Sequence, residues 1–172
     1  MAFIQSGTMA LGWRLWLPAL ITLLLMAVLH VPTPDQALTR IGPAVPLMFT
    51  YYWVIQRPRA APLLLVFFIA LLGDLWCEGV VGITVLLALF LRLTLAPHQE
   101  AFRVAPFVLR WLAFAVILVL LFMAKWMLLS LLEWHWIAAR DLLFQAVVTI
   151  ALYPLFNRLY ALIDRHGVLG RS

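Results

Sequence analysis

Two carboxylates four residues apart, Asp74 and Glu78, stand in the stretch Leu71-Leu72-Gly73-Asp74-Leu75-Trp76-Cys77-Glu78-Gly79-Val80-Val81-Gly82, between apolar runs at Leu63 to Leu72 and Val80 to Leu91. On an unbroken helix this spacing stacks two negative charges on one face, where they destabilise each other, more so in a low dielectric. Either the chain turns between them or one of them holds a proton. An ionisable group inside or at the edge of an apolar span is costly and ordinarily has a partner or a task. For Asp74 the options are an ion or substrate contact, a charge pair with Lys125, or a cap on the helix that starts after the turn. Counting along the spans places Asp74 and Lys125 in the same half of the membrane, so the pair is the favoured reading. Gly73, Gly79 and Gly82 either let helices approach closely or serve the turn. The turn alone accounts for Gly79.

Other chemistry finds little to work with. His30, His98, His135 and His166 fall at span ends and in separate loops, without ligand spacing, so no metal is expected. The serines are Ser6, Ser130 and Ser172, and Ser130 lacks the glycine-framed turn of a hydrolase nucleophile. Neither paired aspartate motifs for magnesium and pyrophosphate nor a glycine-rich phosphate loop are present. Cys77 is the single cysteine, which excludes an intrachain disulfide and a multi-cysteine site. Catalysis would have to rest on Asp74 and Glu78 alone. A non-enzymatic protein without a cofactor is expected.

The elements that must position these residues follow from composition. Of the 172 residues, 66% are hydrophobic and 11% charged, against a usual charged share of roughly 25%, so a water-soluble fold could not cover its surface. The fold class is an all-α integral membrane protein, read as a single transmembrane domain over 1–172. With about 20 residues per crossing, the chain holds about six helices. The first, about Trp13 to Val31, resembles a signal peptide at its start but lacks a small-x-small cleavage site and is read as retained; Pro32 and Pro34 close it. The second, about Ile41 to Ile55, is short and carries Pro43 and Pro46 in its first turns. The third and fourth form a hairpin over Pro58 to Pro97 with its crossing point at Asp74 to Gly82. The fifth runs from about Pro106 to Leu132. The sixth, about Ile137 to Leu162, places Gln145, Thr149 and Tyr153-Pro154 along one face, and its proline requires neighbours that re-satisfy the freed carbonyl.

The formal charge of +5 is topological in this setting and calls for anionic lipid headgroups, not nucleic acid. With both termini in the cytoplasm, Arg14, Arg57, Arg59, Arg92, Arg103, Arg110, Arg158, Arg165 and Arg171 lie inside, leaving Arg40, Lys125 and Arg140 outside. Tryptophans then fall at both interfaces, as an aromatic belt requires. Arg92, near the inner end of its helix, is expected to snorkel to headgroups.

Over nearly its full length the chain resembles the MreD family of the bacterial rod-shape machinery. The residues that carry the likeness are Pro46 and Tyr52, Leu71-Leu72-Gly73-Asp74 followed by Gly79-Val80-Val81-Gly82, and Gln145, Thr149 and Tyr153-Pro154. Cys77-Glu78 departs from it by placing an acid in a turn that is commonly small or neutral, which leaves Glu78 without a family role. The resemblance implies a non-enzymatic subunit of the bacterial inner membrane that binds MreC. Together they would support the RodA glycosyltransferase and its penicillin-binding transpeptidase under guidance from MreB filaments. It also implies a fold like that of the substrate-binding subunits of energy-coupling-factor vitamin transporters. A small-molecule transporter subunit is the competing class, with Asp74, Trp76 and Trp126 lining an outer mouth. On the MreD reading, the outer ends of the third and fourth helices are the expected docking face for MreC, through Gly82, Val80, Val81 and Thr84 and the acidic rim of Asp74 and Glu78, and the Gln145 to Tyr153 face mainly packs internally.

Overall fold

Pro43 and Pro46 decide where the second helix begins, and the fold is built around that helix. The computed structural model describes residues 19–28, 42–58, 61–76, 80–132 and 139–165, with side chains through 162. Among them, regular structure is helical: α1 Ala19–Val28, α2 Val45–Gln56, α3 Leu63–Trp76, α4 Ile83–Leu95, α5 Gln99–Val104, α6 Phe107–Leu132 and α7 Ala139–Arg165, with a 3-10 turn Ala96–His98 leading into α5. The elbow formed by that turn and α5 is absent from the sequence reading, which closes the hairpin with a loop over Ala96 to Glu100.

α2 has no lipid face. Every residue from Val45 to Ile55 is buried, and α3, α4, α5 and α7 all pack against it. At 12 residues it rises only about 18 Å, short of the roughly 30 Å hydrocarbon layer, so its first turn lies at a depth where backbone groups must be satisfied by protein. They are. Pro46 sits in the first turn and has no amide to satisfy. The Val45 amide donates to Pro43 O at 2.8 Å, and the amides of Leu47 and Met48 both donate to Ala44 O at 3.1 and 3.2 Å. The Ala44 amide donates to the Thr149 hydroxyl at 3.0 Å, and Gly42 O accepts Gln145 Nε2 at 2.7 Å.

α3 and α4 pair beside α2 through one stripe each. On α3 the buried residues are Leu65, Val66, Ile69, Ala70, Gly73 and Asp74, the three-and-four spacing of a single helical face. Gly73 marks a close approach: a Cβ there would lie 2.8 Å from Pro46 Cγ and 3.0 Å from Met26 Cε. α6 and α7 complete the bundle and are the described helices long and apolar enough to cross a membrane. On α7, the missing amide of Pro154 frees the carbonyl four residues back, at Ile150. Trp111 Nε1 on α6 donates to that carbonyl at 3.1 Å, which is the re-satisfaction the proline requires.

Contacts fix the helix directions. Pro46, Gly73 and Met26 meet at one end; Thr22 and Tyr160 share a hydrogen bond of 3.3 Å nearer the other; and Tyr51 donates to Arg110 O at 2.8 Å. α1, α3 and α6 therefore run one way and α2, α4 and α7 the other. Arg57, Arg92, Arg103, Arg110 and Arg158 then gather at one end of the bundle, opposite the Asp74 turn.

Candidate functional site

α4 begins without a cap of its own. Its N-cap residue, Gly82, has no side chain to bond the first amides, and unsatisfied amides at a helix start attract an acceptor and favour negative charge. Asp74, from the last turn of α3, supplies both. Its Oδ2 accepts the amides of Gly82 at 2.8 Å, Thr84 at 3.2 Å and Val85 at 3.4 Å. The residue is 6% exposed. The capping alternative therefore describes Asp74, in place of the favoured pair with Lys125. The reason is local: the turn already holds those amides within reach of a short side chain. Lys125 is half-buried, with its ammonium 5.6 Å from the ring centroid of Phe122 one turn earlier, a cation–π distance.

The two described glycines of the hairpin divide the roles left open by their sequence. Gly73 is the close-packing residue. Gly82 has φ 103°, and a Cβ at its position would meet nothing within 4 Å. It serves the turn through its left-handed backbone, which side chains rarely adopt, and does not pack closely within the chain. Cys77, Glu78 and Gly79 lie outside the described residues. Val80 and Val81, 40% and 54% exposed, lead into the turn and leave an apolar rim beside the capped helix start.

The α7 stripe is where the sequence places it. Gln145, Thr149 and Tyr153 are 7%, 0% and 3% exposed, and the stripe continues through Phe156 and Tyr160. The Thr149 hydroxyl donates to Gln145 O at 2.6 Å while accepting the Ala44 amide, so both of its capacities are used. Below it, Phe114 stacks on Tyr153 at 4.3 Å between centroids, and Tyr51 meets both rings at 5.0 and 5.7 Å. Trp53 Nε1 is an exception, buried without a hydrogen-bond partner among the described residues; nothing in the structure explains it.

Two residues act differently from, or beyond, what their sequence suggests. Arg92 does not simply extend to the headgroups: its Nε donates to Ala61 O at 2.9 Å and its Nη2 reaches Pro58 O at 3.5 Å, tying α4 to the loop between α2 and α3. Trp111 is not singled out by its own context; the signal for it was Pro154, whose free carbonyl demands a donor somewhere. Among the described residues no group of three His, Cys, Asp or Glu is arranged to hold a metal ion. Among the described residues, the side chains of Asp74, Gln145 and Thr149 are taken up by backbone partners, and Val80 and Val81 add an apolar rim beside the turn.

A family model for the rod shape-determining protein MreD matches residues 8–163. No curated protein and no solved structure matches the chain.

Proposed function

The chain belongs to the MreD family of rod shape-determining membrane proteins, and on that premise we propose that it is a non-enzymatic subunit of the bacterial inner membrane that binds MreC. Through MreC it supports RodA, its penicillin-binding transpeptidase and peptidoglycan synthesis, with MreB acting indirectly. The whole chain forms one transmembrane domain of six spans, similar in architecture to the substrate-binding subunits of energy-coupling-factor transporters. Both termini are cytoplasmic, because the arginine-bearing end is the inner one.

The observation that supports docking at the outer end of the hairpin is the apolar rim of Val80, Val81 and Leu86, the last 57% exposed, beside a helix start that Asp74 holds in place. A scaffold contributes only binding free energy, and a surface that is already ordered loses least on association. A bulky substitution at Gly82 is a poor probe, since its φ of 103° strains any side chain whatever docks there. The test uses Val81→Trp and Leu86→Trp, with Leu20→Trp on α1, where Leu20 is 58% exposed, as the control. With all variants accumulating normally in the membrane, MreC recovery and rod shape should fail for the first two and survive in the third. Normal MreC recovery with both hairpin variants would remove this face as the docking site. Orientation has a separate check: a membrane-impermeant thiol reagent should label Cys77 in intact spheroplasts, and labelling only after the inner side is opened would reverse the topology.

A further inference from the structure

Arg92 occupies the last turn of α4, at the end of the bundle where Arg57, Arg103, Arg110 and Arg158 also lie. A lysine or arginine that merely snorkels lays its stem on apolar surface and keeps its charged head in water. Arg92 is half-buried, and two of its nitrogens are committed to carbonyls, Nε to Ala61 O at 2.9 Å and Nη2 to Pro58 O at 3.5 Å. These bonds fix the plane of the guanidinium. They do not neutralise it, because both acceptors are uncharged amide carbonyls. They also set its depth: Pro58 and Ala61 belong to the loop that turns between α2 and α3, and although Ala61 itself is buried against the core, a turn joining two apolar helices sits near the headgroup level. A guanidinium has five N–H donors in a rigid fork that matches phosphate oxygens. With one edge held by the loop, the remaining edge is already oriented, so a bound phosphate has little ordering left to impose.

We propose that the free edge of Arg92 binds the phosphate of one anionic phospholipid, of the phosphatidylglycerol kind, in the leaflet on the arginine-bearing side. The lipid completes the neutralisation that the loop carbonyls cannot supply, and so couples the α2–α3 loop and the end of α4 to membrane composition. This rests on the membrane reading of the fold and is independent of MreC docking, which lies at the opposite end.

The experiment measures purified protein in detergent, adding phosphatidylglycerol or phosphatidylcholine, with thermal unfolding and native mass spectrometry as readouts. The wild type should gain stability from phosphatidylglycerol over phosphatidylcholine and retain one phosphatidylglycerol. In Arg92→Gln the phosphatidylglycerol needed for half-maximal gain should rise about tenfold, the order expected for losing a charged bidentate contact, and the retained lipid should be lost. Arg92→Lys keeps the charge without the fork and should lose most of the gain as well. Arg103→Gln, at an exposed arginine of the same end, should keep it. A purely structural role of Arg92 lowers stability equally with both lipids and leaves the phosphatidylglycerol gain intact; that outcome overturns the proposal, as does an equal loss in Arg103→Gln. Equal stabilisation by soluble glycerophosphoglycerol or inorganic phosphate would make the ligand a solute and overturn the lipid assignment.

Discussion

α2 and α6 draw on a similar apolar alphabet and end in opposite places. In α2, eleven of the 12 residues are buried, while in α6 four of 26 are: Phe114, Leu118, Leu121 and Phe122. In water the more uniformly aliphatic segment would be the one inside. In a bilayer the tails are as apolar as leucine, so burial gives no hydrophobic gain between helices, and what draws a helix inward is packing and hydrogen bonding. α2 carries Thr50, Tyr51, Tyr52 and Trp53 on a backbone whose first turn needs partners; α6 is mostly leucine, valine and methionine on its exposed side, where Leu112, Val116, Leu120, Met123 and Met127 are all more than half exposed. The helix with polar and aromatic atoms to satisfy is the central one.

The same truncation on the two helices tests this most directly. Leu47→Ala, at a side chain 2% exposed, should cost about 2–4 kcal/mol through lost packing and the cavity left behind, read by denaturation in mixed micelles. Next in size is Asp74→Ala, which strips the cap from α4 and leaves amides unpaired; a loss of about 2 kcal/mol is expected, with Asp74→Asn recovering part of it because an acceptor remains. A double variant with Lys125→Ala should be additive in the same assay, as separate partners imply. Gly73→Ala pushes a methyl towards Pro46 at the start of α2 and should cost about 1–2 kcal/mol, less if Met26 moves aside.

Smaller effects sharpen the comparison on the α6 side. Trp111→Phe keeps the ring but removes the donor to Ile150 O, for about 1 kcal/mol. Pro154→Ala restores an amide to that carbonyl, so Trp111→Phe should cost much less in the Pro154→Ala background; equal costs in both would show that the indole does not serve the proline. Leu120→Ala, at a side chain 61% exposed, should change stability by about 0.5 kcal/mol or less. A cost there matching Leu47→Ala would break the contrast between the helices and point to a protein partner, not lipid, along α6.

Much of this was legible in one dimension. The hairpin, the proline-started second helix, the two long apolar helices α6 and α7 and the internal stripe of Gln145, Thr149 and Tyr153 follow from apolar run length, proline position and four-residue spacing, all local properties of the chain. The need for a donor near Pro154 was also legible, though not its identity, because nothing local to Trp111 distinguishes it from the other tryptophans. The partner of Asp74 was misassigned for a related reason. Charge counting ranks the nearest opposite charge first, while a carboxylate is served as well by three amides, and amides carry no mark in the sequence.

By itself the sequence determined that the chain is helical and membrane-embedded and where its proline-started second helix lies, since length, hydropathy and proline placement act residue by residue against the solvent. Tertiary structure alone decided that α2 is the axis, that Gly73 packs while Gly82 turns, that Asp74 caps α4, and that Arg92 is held by a loop. Each of these depends on which backbone groups are brought within about 3 Å of a side chain from elsewhere in the chain, and in a medium with no hydrophobic gradient those short-range contacts are what select one packing from many.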